Sequence, residues 1–301
     1  MRSGKYDDIE FLYDSIPDTL SQLIRTAFIP REGNRFMVAD FSAIEARVIA
    51  WLAGEKWVID AFNADKDLYI ATASQMFKVP LESIKKGSPL RQKGKIATLA
   101  CGFGGSVGAL TAMDKNKDIP EDELAGLVKS WRAANVNITK FWWDCDKAAK
   151  KAITERTTVC MQFGIKFIYQ PGILFIQLPS GRKLAYIRPA IVDGQYGKPV
   201  VTYEGMEQTT KQWVTLETYG PKIVENIVQA VARDCLCEAM FKVEAAGYSI
   251  AFHVHDEIIM DVPKGFGNMD QINSIFGETI DWAPGLPLGA DGYETEYYKK
   301  D

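Results

Sequence analysis

Cysteine and histidine are scarce in this chain. Its 301 residues include five cysteines and two histidines, and no Cys-x-x-Cys pair occurs. The odd number and the spacing of the cysteines predict neither a disulfide framework nor a zinc site. His253 and His255 alternate to one face of a strand pattern, but no cysteine or third histidine accompanies them. The sequence therefore disfavours zinc and suits a reducing cytoplasm.

Long apolar runs and an excess of positive charge are also missing. No run of about 18 apolar residues occurs, which predicts no membrane span, and the first residues lack the apolar core of a signal peptide. The formal net charge of −4 argues mildly against a nucleic-acid partner, although net charge says little about a local cleft. With 47% apolar and 25% charged residues, we expect a packed core in one large or two smaller domains.

A carboxylate interrupts the clearest strand pattern. Even-numbered residues from Tyr248 to Val262 are apolar except Asp256, and this alternation predicts one or two strands with a buried face. A carboxylate in such a face is costly unless a cation binds it. Alternatively, His255 and Asp256 form a hairpin tip, where Asp is common. The two interpretations are compatible, because a tight hairpin can present a carboxylate to a metal.

A second strand pattern, Arg35–Asp40, also ends on a carboxylate. If the two strands are neighbours, Asp40 and Asp256 converge, and hard oxygen ligands of this kind suit Mg²⁺. Two such ions can support an in-line displacement, with Glu257 as an auxiliary carboxylate. After Asp40, the segment from Ser42 to Glu45 matches a capping box for a helix over residues 43–53.

The remaining patterns predict the fold class. A helix begins at Ser88-Pro89 and runs to Cys101, and two more helices follow near residues 121–134 and 138–153. Short strands separated by turns occupy residues 157–218, and a long helix spans Gly220 to Gly247. The strand pair comes next, then a helix near residues 268–280 and a Gly/Pro-rich tail. This order predicts an α+β domain with a helical insertion.

The helix after Ser88 is basic. Five basic residues and no acidic ones lie between residues 85 and 95. Arg91 and Lys95 share one face because they are four residues apart; Leu99 follows at the same spacing, and Phe103 lies just beyond. Such a face can hold a triphosphate and stack a base, although a solvated basic face explains the pattern equally well.

Three motifs together resemble family A DNA polymerases, the bacterial polymerase I type. Residues 39–47 (Ala-Asp-Phe-Ser-Ala-Ile-Glu-Ala-Arg) resemble motif A, residues 91–104 resemble motif B, and residues 254–257 (Val-His-Asp-Glu) resemble motif C. The motifs occur in the family's order over nearly the whole chain, and bacteriophage members look closest. The resemblance implies a palm (antiparallel sheet with packed helices) formed by residues 1–54 and 154–301, with helical fingers over residues 55–153.

The resemblance also implies roles for single residues. Asp40 and Asp256 would hold two Mg²⁺ ions, with Mn²⁺ as a substitute, aided by the Phe41 carbonyl and by Glu257 as a catalytic carboxylate. Arg91, Lys95, Leu99 and Phe103 would bind the incoming dNTP, the two basic residues through its triphosphate. The family usually has Phe or Tyr at the position of Leu99 and Tyr at the position of Phe103, so these two departures put nucleotide discrimination in doubt. Glu45 would exclude ribonucleotides, unless it serves only as a cap. The residues expected to contact primer–template DNA are Gln229, Arg233, His255 and Arg182, with ordinary surface polarity as the alternative for Gln229 and Arg233.

Only 39 residues precede Asp40, so we expect the family's thumb and exonuclease-type domain to be absent from this chain. The predicted function is template-directed DNA synthesis in the cytoplasm, the host's if a phage encodes the chain. A second chain or an upstream region would supply the thumb, docking on an apolar patch that includes Phe11, Leu12, Leu20 and Ile24. The alternatives are a single-subunit RNA polymerase, which Glu45 and Glu257 disfavour, and a non-catalytic subunit that binds primer–template.

Overall fold

The computed structural model describes residues 15–194 and 197–299. In chain order its helices are α1 Ile16–Leu23, α2 Ile44–Ala53, α3 Lys56–Asn63, α4 Leu68–Phe77, α5 Pro89–Cys101, α6 Val107–Met113, α7 Glu121–Ala134, α8 Val136–Glu155, α9 Gly220–Ala245 and α10 Met269–Phe276. Its strands are β1 Asn34–Phe41, β2 Thr158–Cys160, β3 Lys166–Gln170, β4 Ile173–Gln177, β5 Lys183–Asp193, β6 Pro199–Met206, β7 Trp213–Thr218, β8 Ile250–Val254, β9 Glu257–Pro263 and β10 Ala290–Thr295. The predicted α+β class is confirmed.

The chain forms two compact units. The first unit comprises Met1–Ser42, Leu236–Glu278 and Gly289–Asp301, and the second comprises Ala43–Cys235 and Thr279–Leu288. The division into palm and fingers at residues 54 and 153 stays a prediction.

The first unit is built on a four-stranded antiparallel sheet in the order β10-β1-β9-β8. Phe36 and Val38 of β1 pack with Ile259 and Tyr298 on one face of this sheet. On the other face, the ring of Phe41 lies 4.7 Å from that of Phe276 on α10. Both faces of β1 are therefore covered, and this anchors the strand that carries Asp40.

The second unit combines helices with a six-stranded antiparallel sheet in the order β2-β3-β4-β5-β6-β7. Phe167, Leu174 and Ile176 are buried on one sheet face, and α8 packs against β2 to β5. Helices α4 and α5 pack very closely, since a Cβ atom on Gly94 would lie 2.3 Å from the carbonyl oxygen of Tyr69. The helical block and the hairpins expected from the sequence are both present.

The predicted capping box at Ser42 is wrong. Helix α2 begins at Ile44, its N-cap residue is Ala43 in the left-handed conformation, and no side chain caps it. Ser42 instead donates a hydrogen bond of 2.7 Å from its Oγ to Oδ2 of Asp291. The left-handed conformation of Ala43 starts the helix at Ile44, so Ser42 is not the N-cap residue.

Several boundaries also differ from the prediction. The tail described as Gly/Pro-rich contains β10, which the sequence did not predict, and the helix expected over residues 268–280 ends at Phe276. All five cysteines are free thiols, as expected. Among the described helices, none has the length and apolar character needed to cross a membrane.

Candidate active site

The end of β1 places Asp40 between two neighbouring strands. In the sheet register Asp40 lies opposite Glu257 of β9 and opposite Asp291 of β10. Asp256 lies in the two-residue turn that joins β8 to β9, where Val254 pairs with Glu257 and His255 adopts a positive φ of 55°. The hairpin tip predicted at His255-Asp256 is confirmed, and it brings Asp256 to Asp40.

The electrostatics of this acidic cluster centre on Asp40. Its carboxyl group lies within hydrogen-bonding distance of the carboxyl group of Asp256. Partial burial, then the negative charges of Asp256 and Glu257, raise the pKa of Asp40 to about 7, although the backbone N–H of Phe41 acts in the opposite direction. Carboxylates forced together in this way favour whatever positive charge can enter between them.

The donors in this cluster fit Mg²⁺. Asp40 and Asp256 supply two carboxylates, and Mg²⁺ commonly binds through one or two carboxylates while water and substrate phosphates complete its shell. Within the described residues, no group of three or more His, Cys, Asp or Glu side chains is arranged to hold a metal ion.

Two residues that the sequence did not single out support the cluster. Asp291 flanks Asp40 from β10 and accepts the hydrogen bond from Ser42. The hydroxyl of Tyr298 donates a hydrogen bond to Oε1 of Glu257. Alternation of Asp291 with Tyr293 and Thr295 was a weak strand signal, but their partners could not be read from local sequence.

The basic helix α5 begins as predicted. Ser88 is its N-cap, accepting a hydrogen bond from the backbone N–H of Arg91, and Pro89 is its first residue. Arg91 also forms an ion pair with Asp67, with Nε and Oδ2 2.9 Å apart. The Arg91 guanidinium and the Lys95 ammonium lie 5.3 and 6.0 Å from the centre of the Tyr69 ring. Tyr69 therefore contacts both of the basic side chains that the resemblance expects to bind the triphosphate.

A cavity of about 110 Å³ in the second unit brings together three further predicted residues. Glu45 of α2, Leu99 of α5 and Phe103 all line it, with the remaining lining mostly apolar. Thr98 and Thr72, whose hydroxyl oxygens are 3.1 Å apart, supply polar groups to its wall. The side chain of Leu99 is 49% exposed. The roles of these residues in nucleotide selection stay predictions.

Of the four residues expected to contact DNA, three belong to the second unit and His255 belongs to the first. Gln229 is exposed on α9, and Arg233 lies one turn further along the same helix. Arg182 is tied to that helix, because its Nε lies 2.6 Å from Oδ1 of Asp234 and one terminal nitrogen donates to the Ala230 carbonyl. His255 is exposed in its turn. Their contacts with DNA stay predictions.

Comparison with known proteins identifies relatives of this chain. The sequence profile of DNA polymerase family A matches residues 14–289. A DNA polymerase of Bacillus phage SP02 is 56% identical over 303 aligned residues, which cover 100% of this chain and 47% of the phage protein. The thermostable DNA polymerase I of Thermus thermophilus is 34% identical, over 81% of this chain and 24% of its own length. The chain thus spans about half the length of the phage relative and a quarter of the Thermus one.

A solved structure resembles the fold. The polymerase domain of Pol1 from M. smegmatis, determined with DNA primer–template and dNTP, superposes with a TM-score of 0.59 at 21% identity, covering 92% of this chain and 42% of that one. The profile match and the 56% identity to the phage protein show that the chain belongs to DNA polymerase family A.

Proposed function

We propose that this chain is the catalytic portion of a template-directed DNA polymerase, with a palm and fingers. The observation that carries the proposal is the apposition of Asp40 and Asp256, which come from opposite ends of the sequence and meet at the end of β1. Two carboxylates held this close repel each other. Divalent-cation binding in a family A polymerase would explain why the fold keeps them together.

The proposed reaction is nucleotidyl transfer. The primer 3′-hydroxyl gives up its proton to solvent water and its oxygen attacks the α-phosphorus of a dNTP. A new P–O bond forms, the bond to the bridging oxygen breaks, and pyrophosphate leaves with the electron pair of that bond. Asp40, Asp256 and the Phe41 carbonyl would hold divalent cations, and Glu257 would add negative charge beside them. When bound, these ions favour the deprotonated 3′-hydroxyl and offset charge on the leaving group.

The second unit would bind the nucleotide. Arg91 and Lys95 carry the positive charge suited to a triphosphate, and the cation–π contacts with Tyr69 keep both side chains on one face of α5. Phe103 offers an aromatic face for a base, which stacking stabilises by about 1–3 kcal/mol. Glu45, which lines the same cavity as Phe103, would exclude a ribose 2′-hydroxyl.

The proposed partners are primer–template DNA and dNTPs. Gln229 and Arg233 would contact the duplex from α9, with His255 near the primer terminus and Arg182 braced against α9. Because the chain matches 47% of the phage relative, we also propose that the remainder of such a protein, in the same chain or a second one, supplies thumb contacts.

Primer extension tests the proposal. Mg²⁺, dNTPs and a labelled primer–template are supplied, and binding of the same DNA is measured by fluorescence anisotropy. We expect Asp40→Ala and Asp256→Ala each to abolish extension while leaving DNA binding and the circular dichroism spectrum unchanged. Asp270→Ala, which removes an exposed carboxylate of α10, is the matched control.

Two outcomes contradict the proposal. Near-parental extension by either aspartate variant, measured in the shortest active form of the protein, removes the metal assignment. DNA binding without extension under every condition, including fusion to the rest of the phage relative, identifies a non-catalytic subunit.

A further inference from the structure

A buried tyrosine, Tyr298, forms a hydrogen bond to the acidic cluster. Tyr298 is 2% exposed, and its hydroxyl donates to Oε1 of Glu257. Tyr298 lies beyond β10, outside all three sequence motifs that point to polymerase chemistry. Neither the motifs nor the comparisons assign this residue a role.

The ring of Tyr298 is held on several sides. Its backbone N–H donates to the carbonyl oxygen of Phe28 over 2.9 Å. The Phe252 ring meets it edge-on, with ring centres 5.4 Å apart, and the Arg25 guanidinium lies 5.5 Å from its centre. Tyr298 also belongs to the buried cluster with Phe36, Val38 and Ile259. The hydroxyl is therefore presented from a fixed position, with little rotational freedom to lose when it binds Glu257.

The acceptor of this hydrogen bond stands directly beside the candidate metal ligands. Glu257 lies opposite Asp40 in the sheet and follows Asp256 in sequence. An ionised carboxylate has about four lone-pair directions on two oxygens. A donor fixed on Oε1 restricts rotation of the group and so decides which way Oε2 points. The hydroxyl also remains a donor, because burial and the bond to Glu257 raise the pKa of Tyr298 above its ordinary value.

We propose that Tyr298 is a positioning residue that orients Glu257 toward the divalent cation held by Asp40 and Asp256. The proposal rests on the proposed function, since it requires that cation. Residues that hydrogen-bond to a group at a metal site commonly change metal affinity by about 10- to 100-fold when removed. Glu257 has one oxygen available for the site, and we place the effect of the tyrosine hydroxyl at the lower end of this range.

The test is Tyr298→Phe, which removes the hydroxyl and keeps the ring. Tyr297→Phe is the matched control, because Tyr297 is the adjacent tyrosine and is 45% exposed. Mn²⁺ binding to the full chain is measured by electron paramagnetic resonance without DNA or dNTP, so that the readout does not depend on activity. We expect Tyr298→Phe to weaken Mn²⁺ binding roughly tenfold and Tyr297→Phe to leave it unchanged.

A second variant separates the effect of the Tyr298 hydrogen bond from that of the Glu257 charge. Glu257→Gln preserves an oxygen acceptor for the hydroxyl but removes the charge, and it should also weaken Mn²⁺ binding. In the Glu257→Gln background, adding Tyr298→Phe should cause no further loss of Mn²⁺ affinity. In extension assays, Tyr298→Phe should raise the Mg²⁺ concentration needed for half-maximal rate more than it lowers the saturating rate.

Two results overturn the proposal in distinguishable ways. If Asp40→Ala weakens Mn²⁺ binding but Tyr298→Phe only lowers the melting temperature, Tyr298 is a structural residue and the proposed function stands. If neither Asp40→Ala nor Asp256→Ala changes Mn²⁺ binding, the metal site fails and the role of Tyr298 fails with it.

Discussion

Asp40 lies near the end of β1 in the first unit and is the central carboxylate of the proposed metal site. Its carboxyl group is destabilised as an anion by partial burial and by the charges of Asp256 and Glu257. The same repulsion would favour a cation placed between the carboxylates. If the proposed metal binds there, the arrangement that lowers the stability of the metal-free protein is the one that attracts the ion.

The first prediction concerns pH. The pKa of Asp40 is about 7 in the fold against an ordinary value of 3.8, so the folded state holds this proton more tightly than the unfolded state. The resulting stabilisation is complete below about pH 4 and is lost as pH rises toward 7. Asp40→Asn cannot ionise and should avoid that loss.

Thermal unfolding in EDTA checks this prediction. The melting temperature of Asp40→Asn relative to the parent should increase between pH 5 and pH 8. Asp270→Asn, at an exposed position of α10, should show no such trend. A constant difference across this pH range would mean that Asp40 titrates at its ordinary value.

The second prediction concerns Glu45. Glu45→Ala should increase incorporation of ribonucleotides relative to dNTPs, because a smaller side chain opens the cavity wall shared with Leu99 and Phe103. Glu45 lies in the first turn of α2, where a carboxylate stabilises a helix by about 0.3–1 kcal/mol, so the free energy of unfolding should fall by at least that amount. Single-nucleotide incorporation with each substrate gives the ratio.

Glu45→Gln separates size from charge. It preserves the volume of the side chain, so it should still exclude ribonucleotides if exclusion is steric. A Glu45→Ala variant as selective as the parent would place the discrimination at another residue.

At the level of elements, the third prediction concerns α5. Lys95→Ala should raise the KM for dNTP at least tenfold with little change in DNA binding, because its partner would be the triphosphate. Lys93→Ala is the control on the same helix, since Lys93 is already paired with Glu123. Equal losses of dNTP use and DNA binding in Lys95→Ala would instead identify α5 as a DNA-backbone contact.

The fourth prediction concerns the start of α8. Glu55 is 4% exposed, and its Oε2 accepts hydrogen bonds from the backbone N–H groups of Asn137 and Ile138 at 2.9 and 3.3 Å. Glu55 thus caps a helix more than 80 residues away. Glu55→Ala leaves those donors unpaired and should lower the free energy of unfolding by about 1–3 kcal/mol.

Urea denaturation measures that loss. Glu82→Ala, an exposed residue, should change stability by less than about 0.5 kcal/mol. A Glu55→Ala variant with an unchanged denaturation midpoint would show that water replaces the cap.

Elements with a strong local signal could be predicted from the sequence. Alternation revealed β1 and the β8–β9 hairpin, and Ser88-Pro89 fixed the start of α5, because these signals come from neighbouring residues. The capping box failed because Ala43 adopts the left-handed conformation and is itself the N-cap residue. Asp67 beside Arg91 and Tyr298 beside Glu257 were missed because tertiary pairing leaves no trace in local periodicity.

For the whole molecule, the fifth prediction concerns duplex affinity. Affinity for duplex DNA comes largely from phosphate contacts, and the formal net charge of −4 provides no general attraction. We expect the 301-residue chain to bind primer–template weakly and to synthesise DNA distributively. Fusion to the part of the phage SP02 polymerase that it does not match should strengthen binding and steepen its salt dependence.

Anisotropy titrations at several salt concentrations, paired with extension under single-hit conditions, measure both effects. Processive synthesis by the chain alone would contradict this prediction. The apolar residues Leu20 and Ile24, 48% and 62% exposed, match part of the patch expected for a docking region, whereas Phe11 and Leu12 lie outside the described residues.

The sheet of the first unit also determines when the site can form. β1 is synthesised before its partners β9 and β10, which lie more than 215 residues later in the chain. At about 5–20 residues per second, β1 waits on the order of 10–50 s for them. Until then its apolar faces need protection from aggregation. Premature termination just before Tyr298 would yield a product that contains Asp40, Asp256 and Glu257 but lacks the hydroxyl that donates to Glu257.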